Sequence, residues 1–130
     1  MSPNCTNNSP SPDRLDLLQT SIQQVQALLK NGNITSVQLV NTYLDRIERD
    51  NIDGMELRAV IQLAPKESVL KIAKQMDEER SSGNIRGELH GIPILVKDNI
   101  AAAHELGVDT TAGSIALSGS IELSSLPRPS

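Results

Sequence analysis

Aromatic residues are almost absent from this sequence. Its 130 residues include no tryptophan, no phenylalanine and a single tyrosine, Tyr43. Aromatic side chains bury roughly 150–250 Å² each and dominate most protein cores. A core in this chain must therefore be aliphatic, built from leucine, isoleucine, valine and alanine. The length is enough for one domain, or for part of a larger one.

Cysteine, basic charge and long apolar runs are also scarce. Cys5 stands alone, which excludes an intrachain disulfide and a zinc site built from several thiolates. Lysine and arginine number 12 against 16 acidic residues, a net charge of -4, so we expect no nucleic-acid partner. No apolar stretch approaches the roughly 18 residues of a membrane span. Because residues 1–10 also lack the features of a signal peptide, we expect a soluble, cytoplasmic protein.

The first part of the chain predicts a helical hairpin. Residues 1–12 are rich in proline, serine and asparagine and are expected to form a disordered lead-in. Asp13 is predicted to cap a first helix that begins at Arg14 and ends at Gly32. Its apolar residues recur at steps of three and four: Leu15, Leu18, Ile22, Val25 and Leu29. A second helix is predicted from the capping box of Thr35 and Gln38. Its apolar stripe is Val37, Val40, Leu44 and Ile47, with Tyr43 beside it.

The middle of the chain predicts a β-α-β unit. After a turn at 51–54, the short apolar segment 57–63 is predicted to be a strand. Pro65 and Glu67 open a third helix that ends at 81–83. Its predicted buried residues are Val69, Ile72, Ala73 and Met76. The continuous aliphatic run 91–97 is typical of a strand that is buried on both faces.

These elements predict an α/β fold with a parallel pair of strands and a right-handed crossover. Two strands do not make a stable sheet, so the pattern indicates a piece of a larger one. Residues 98–120 read as loops and short helices, and 121–130 form no convincing element. The expected organisation is a lead-in over 1–12, a structured part over 13–120 and a divergent tail over 121–130.

Lys97 is the strongest candidate for chemistry. It lies at the carboxyl end of the second predicted strand, where open α/β sheets place their ligand crevices. Burial disfavours the charged form of a lysine, and in that way a lysine can become a general base near neutral pH. The alternative is that Lys97 only marks the exit of the strand into water. Its position alone leaves both interpretations open.

The residues around Lys97 resemble those of a known protein family. The run GELHGIPILVKDNI over 87–100 and the run TTAGSIALSGS over 110–120 resemble the N-terminal part of an amidase-signature hydrolase. The resemblance extends upstream through 35–47 and covers roughly residues 13–120. It implies a mixed-sheet α/β/α fold, of which the helical hairpin and the β-α-β unit are an incomplete piece.

The resemblance also implies a reaction, the hydrolysis of an amide C–N bond by a Ser–cis-Ser–Lys triad. The lysine of the motif is the base of that triad, and at this position the chain has Lys97. A serine attacks the carbonyl, a second serine relays the proton to the neutral lysine, and backbone N–H groups hold the oxyanion. The partner is then a small-molecule amide, and no metal or cofactor is needed.

The sequence departs from the family in its serines. The family carries both in a Gly/Ser-rich run of the type GGSSGGS, and this chain has no such run. Ser114, Ser118 and Ser120 belong to a different segment and are not assigned a role. We therefore expect a truncated product that is inactive alone. The alternative is a non-catalytic α/β remnant that binds a partner, with self-association through the helical hairpin.

The remaining candidates are weaker. His90 and His104 are possible ligands or bases, but no cysteine is near, and His90 is predicted to be a packing or turn residue. Asp98 and Asn99 either hydrogen-bond the loop that shapes the site or simply cap it. The run 78–80 on the third helix is predicted to be a solvated face. Cys5, in the lead-in, is not expected to be a nucleophile.

Overall fold

The computed structural model describes residues 15–103, 106–114, 116 and 118. Three α-helices follow in chain order: α1 (Ile22–Lys30), α2 (Ser36–Ile47) and α3 (Lys66–Ser81). A π-helical segment, Glu48–Asp53, continues directly from α2. The predicted lead-in, the cap at Asp13, the divergent tail, Cys5 and His104 lie outside the described residues.

Helix α1 begins later than the sequence pattern predicted. Its N-cap is Ser21, whose Oγ accepts a hydrogen bond from the Gln24 amide at 3.3 Å, while Gln24 Oε1 accepts one from the Ser21 amide at 2.7 Å. Upstream, Asp16 closes a turn by accepting from the amides of Leu18 and Thr20. The predicted start at Arg14 is therefore wrong, because the side chains of Ser21 and Gln24 satisfy amides at this point of the chain. Gly32, with φ +71°, follows the end of the helix as expected.

Helix α2 has the predicted capping box. Thr35 Oγ1 accepts from the Gln38 amide at 3.1 Å, and Gln38 Oε1 accepts from the Thr35 amide at 2.9 Å. At the C-terminal end, the Gly54 amide donates a hydrogen bond to the Arg49 carbonyl at 2.7 Å. The helix therefore continues as a wider π-helix through residues that the sequence predicted as a turn.

The core of the helical hairpin is aliphatic, as the composition required. Its buried members are Val25, Leu29, Ile34 and Leu39. Leu15, Leu28, Tyr43 and Ile92 pack against them while remaining partly exposed. Leu39 is fully buried although it lies outside the predicted stripe of α2, of which only Val40 is buried. The burial is shifted because Leu39 packs with Val25 and Leu29 of α1, while α2 also contacts α3.

Helix α3 has nearly the predicted bounds, beginning at Lys66 after Pro65 and ending at Ser81. Of its predicted buried face only Ala73 is fully buried, while Ile72 is 43% exposed. Among the described helices, none is both long enough and apolar enough to cross a membrane.

Neither predicted strand is formed within the described residues. Segments 57–63 and 91–97 are irregular in structure, and most of their aliphatic side chains face solvent, with Val60 and Ile92 partly buried. Ile61 is 81% exposed and Leu95 is 79% exposed. The expectation that 91–97 is buried on both faces is thus wrong here, and the β-α-β unit is not observed. A strand needs a neighbour for its backbone groups, and within the described residues 57–63 finds one only in part. The amides of Leu57 and Arg58 donate to the carbonyls of Asp50 and Asn51, each at 3.1 Å, and the Asn51 side-chain amide pairs with the N–H and C=O of Val60, each at 3.0 Å.

Candidate functional site

Lys97 lies at the end of the exposed aliphatic segment and opens a turn. Its carbonyl accepts a hydrogen bond from the Ile100 amide at 2.9 Å. The residue is exposed, as is Val96 before it at 53%. Within the described part of the chain, its amine makes no hydrogen bond or ion pair. The structure therefore places Lys97 where a strand would exit into water and does not bury it.

The next residue, Asp98, binds a loop thirteen or more positions further along the chain. Its Oδ1 accepts from the Thr111 amide at 3.1 Å, and its Oδ2 accepts from the Gly113 amide at 3.0 Å and from the Thr111 hydroxyl. The Ala112 amide donates to the Asp98 carbonyl at 3.1 Å. Of the two interpretations that the sequence left open for Asp98, the structure shows the hydrogen-bonded loop. These bonds, the one from the Thr111 hydroxyl foremost, lower the pKa of the Asp98 carboxyl below its ordinary value.

Thr110 also connects the two parts of the chain, through contacts with residues 100–102. It is only 5% exposed, and its hydroxyl accepts from the Ala102 amide at 3.0 Å and lies 3.4 Å from the Ile100 carbonyl. Ala112 and Gly113 both have left-handed backbone angles, with φ +48° and +82°. The ends of the two runs that carried the family resemblance, 87–100 and 110–120, are therefore joined in space, through the segments 97–102 and 110–114. We call this pair of segments the lysine loop.

A second polar group, the junction cluster, consists of Ser36, Asp77, Arg80 and His90. Asp77 of α3 accepts from the amides of Ser36 at 2.7 Å and Val37 at 3.1 Å, so it caps the N-terminus of α2. Burial raises the pKa of Asp77, but hydrogen bonds from these two amides, from the Ser36 hydroxyl and from Arg80 outweigh it, and the net direction is downward.

Arg80 connects α3 to the chain that leads to Lys97. One guanidinium nitrogen donates to Asp77 at 2.7 Å, and the other donates to the Ser36 hydroxyl at 3.1 Å and to the His90 carbonyl at 3.0 Å. Gly91 follows at a close approach with φ +78°, where a β-carbon would lie 2.6 Å from Arg80 and would also overlap Ser36 Oγ.

His90 uses both ring nitrogens within the fold. Its Nε2 lies 2.8 Å from the Met76 carbonyl, and its Nδ1 accepts from the Arg86 amide at 3.3 Å. A neutral ring with the proton on Nε2 satisfies both contacts. His90 is therefore the packing and turn residue that the sequence predicted. Over the described residues, no group of three or more His, Cys, Asp or Glu side chains is arranged to hold a metal ion.

Asp77 was not predicted as a functional residue, and the prediction for Arg80 is wrong. Residues 78–80 were predicted to form a solvated face, yet the Arg80 side chain is 16% exposed and that of Asp77 is 20% exposed. The signal was available, because Asp77 and Arg80 continue the face of buried Ala73 at steps of four and three. Polar side chains on a buried helical face need partners, and here they find one another.

Comparison with known proteins relates these segments to one family. The model of the family named Amidase matches residues 38–124, a span that holds α2 from its third residue, α3, the junction cluster except Ser36, and the lysine loop. A provisionally named amidase of Schizosaccharomyces pombe is 45% identical over 91% of this chain and 19% of its own length. A glutamyl-tRNA(Gln) amidotransferase subunit of Renibacterium salmoninarum is 41% identical over 80% of this chain and 19% of its own.

Solved structures give the same result. The peptide amidase of Stenotrophomonas maltophilia superposes with a TM-score of 0.71 and 46% sequence identity, covering 78% of this chain and 20% of that one. This chain thus spans about a fifth of the length of the relatives that it matches. Since the family model covers most of the sequence and the fold agrees with that of a solved amidase, this chain belongs to the amidase-signature family and corresponds to the N-terminal portion of its longer members.

Proposed function

We propose that this chain is the lysine-bearing portion of an amide hydrolase, with Lys97 as the general base of a Ser–cis-Ser–Lys triad. The observation that supports this role is the position of Lys97 inside the family match, in the run LHGIPILVKDNI, with its side chain exposed. The relatives include a peptide amidase and a tRNA amidotransferase subunit, so the chemistry they share is at an amide bond. We propose a carboxamide as the substrate class.

The proposed chemistry is acyl transfer to water. A neutral Lys97 amine accepts a proton through the relay serine as the nucleophilic serine attacks the amide carbonyl. The proton then passes to the leaving amine, and water hydrolyses the acyl-enzyme. Residues 1–130 contain no GGSSGGS-type run, so these serines have to come from elsewhere. We accordingly expect no amide hydrolysis by the 130 residues alone.

We further propose that 57–63 and 91–97 become strands when additional chain of the amidase fold pairs with them. Most of their aliphatic side chains are already exposed, with Ile94 at 68% and Leu95 at 79%. A pairing partner would satisfy the backbone and cover these side chains together. Lys97 would then lie at the carboxyl end of a buried strand, as the sequence pattern predicted.

A chimera tests the proposed role of Lys97. The segment of this chain that superposes on the Stenotrophomonas peptide amidase replaces its counterpart in that enzyme, and hydrolysis of the recipient's own substrate is measured. We expect the chimera to be active and Lys97→Met to lower kcat by about 10²- to 10⁴-fold. Lys97→Arg should be equally impaired, because arginine keeps the charge but does not deprotonate.

The matched control is Lys71→Met, which removes an exposed lysine from α3. An active chimera that is insensitive to Lys97→Met would refute the proposed base and favour the alternative, a non-catalytic binding module. The 130-residue chain is assayed in parallel, and robust hydrolysis by it would contradict the requirement for serines from elsewhere.

A further inference from the structure

Some basic and acidic residues that are close in sequence form ion pairs in this chain. Arg49 Nε lies 3.0 Å from Asp50 Oδ1, and these two residues are adjacent in sequence. Arg58 and Glu56, two positions apart, pair at 3.4 Å even though both side chains are largely exposed. Lys97 and Asp98 are also adjacent, but the structure shows no ion pair between them. Adjacency in sequence alone therefore does not decide whether two opposite charges pair.

The Asp98 carboxylate is occupied by other hydrogen-bond donors. Both of its oxygens accept hydrogen bonds from the 111–113 segment, two from amides and one from the Thr111 hydroxyl. The Ala112 amide holds the Asp98 carbonyl as well, which fixes the backbone next to Lys97. Hydrogen bonds to an ionised carboxylate are stronger than those between neutral groups, so the carboxylate is retained by the loop.

A general base must lose its proton, and a carboxylate close to an amine favours the protonated form. We propose that Asp98 is a positioning residue for Lys97: the hydrogen bonds from Thr111 and Gly113 hold its carboxylate on the loop and away from the Lys97 amine. The proposal rests on the role of Lys97 proposed above and adds to it the device that keeps the amine unpaired.

One other described acidic side chain belongs to the segment after Lys97. The Asp109 carboxylate accepts a hydrogen bond from the Ser118 hydroxyl at 2.6 Å, and the Asp109 amide donates to Gln62 at 3.1 Å. Asp109 is therefore also held within its own loop. Asp98 remains the carboxylate whose release would change the surroundings of Lys97 most directly.

The test measures the reactivity of the amine in the 130-residue chain. The purified chain is labelled with succinimidyl acetate across about pH 7–10, which approaches the ordinary pKa of lysine from below. Peptide mass spectrometry reports the labelling of Lys97 relative to Lys66, Lys71 and Lys74 on α3, which serve as internal references.

Two variants release the carboxylate in different ways. Thr111→Val removes the hydroxyl donor, and Asp98→Glu keeps the charge but moves it by one methylene. Each should slow the labelling of Lys97 about twofold to fivefold relative to the references and move its pH profile upward, the size expected of an exposed ion pair.

The controls separate charge from structure. Thr111→Ser keeps the hydroxyl and should leave the profile unchanged, while Asp98→Asn and the double variant Asp98→Asn/Thr111→Val should show no slowing because no carboxylate is present. A Thr111→Val profile equal to that of the parent would overturn the proposal, as would slowing that persists in the double variant. Because no hydrolysis is measured, this result is independent of whether the chimera establishes Lys97 as the base.

Discussion

Among the glycines of the described residues, Gly91 leaves the least room for a side chain. Its φ is +78°, and a β-carbon there would overlap Ser36 Oγ and approach Arg80 to 2.6 Å. Gly83 has nearly the same backbone angle, φ +82°, but nothing lies within 4 Å of a β-carbon built on it. Alanine substitutions at Gly83 and Gly91 therefore separate the cost of backbone strain from the cost of steric conflict.

We expect Gly83→Ala to lower the free energy of unfolding by about 1–2 kcal/mol, the cost of a left-handed alanine. Gly91→Ala should cost a further 1–3 kcal/mol or so, because the added methyl group forces the junction cluster apart. Urea denaturation measures both values. Equal losses in the two variants would show that the cluster is not closely packed around Gly91.

The carboxylates of Asp77 and Asp98 predict a pH dependence of stability. Hydrogen bonds and, for Asp77, the Arg80 ion pair keep both pKa values below the ordinary value in the folded state. Their contribution to stability is therefore present above the unfolded pKa, near about 4, and is lost as the pH falls through the lower folded values.

We expect the free energy of unfolding to decline as the pH is lowered below about 4, and Asp77→Asn to flatten that decline. Urea denaturation at several pH values checks this, with Asp45→Asn on the exposed side of α2 as the control. A decline of unchanged slope in Asp77→Asn would assign the acid sensitivity to other groups.

At the scale of secondary-structure elements, α2 has the most completely satisfied N-terminus. Its first amides are bonded by two different side chains, with Asp77 accepting from Ser36 and Val37, and Thr35 accepting from Gln38. Helix α1 relies on its own capping box alone, at Ser21. The caps of the two helices should therefore differ in how their loss affects the fold.

We expect Thr35→Ala and Ser21→Ala each to lower the free energy of unfolding by about 1 kcal/mol. Asp77→Ala should cost more, about 2–3 kcal/mol, because it leaves two amides of α2 and one guanidinium nitrogen of Arg80 without their acceptor. Thermal unfolding followed by circular dichroism compares the three variants. A loss for Asp77→Ala no larger than for Ser21→Ala would contradict its role as the second cap.

The three helices also show which structural features local sequence patterns predict. The starts of α2 and α3 followed from Thr35, Gln38 and Pro65, because caps act within one turn of the chain. The start of α1 was missed although Ser21 and Gln24 form the same serine/threonine–glutamine signature. There, the apolar spacing of Leu15 and Leu18 favoured a longer helix than the caps allow.

At the scale of the whole molecule, some aliphatic side chains are buried in the hairpin and others are largely exposed. The hairpin buries Val25, Leu29 and Leu39 within the chain, whereas Ile61 and Leu95 are about four-fifths exposed. Exposed aliphatic side chains of this kind promote association. The segments predicted as strands, more than the hairpin, are therefore where self-association is expected.

We expect Leu95→Glu to reduce concentration-dependent association, measured by sedimentation velocity. Gln23→Glu adds the same charge at an exposed polar position of α1 and is the matched control. Ile22→Glu tests the hairpin route that the sequence first indicated, since Ile22 is 45% exposed. A stronger effect from Ile22→Glu than from Leu95→Glu would assign association to the hairpin instead.

The sequence by itself determined the aliphatic core, the existence of three helices, most of their ends and the family motif around Lys97. These depend on residue type and on spacings of a few positions, which act along the chain. The tertiary structure alone decided that Asp77 caps α2, that Asp98 binds the 111–113 segment and that the predicted strands stay exposed. Each of these depends on groups distant in sequence being brought together, because a carboxylate or a strand is satisfied only by the partner that the fold places beside it.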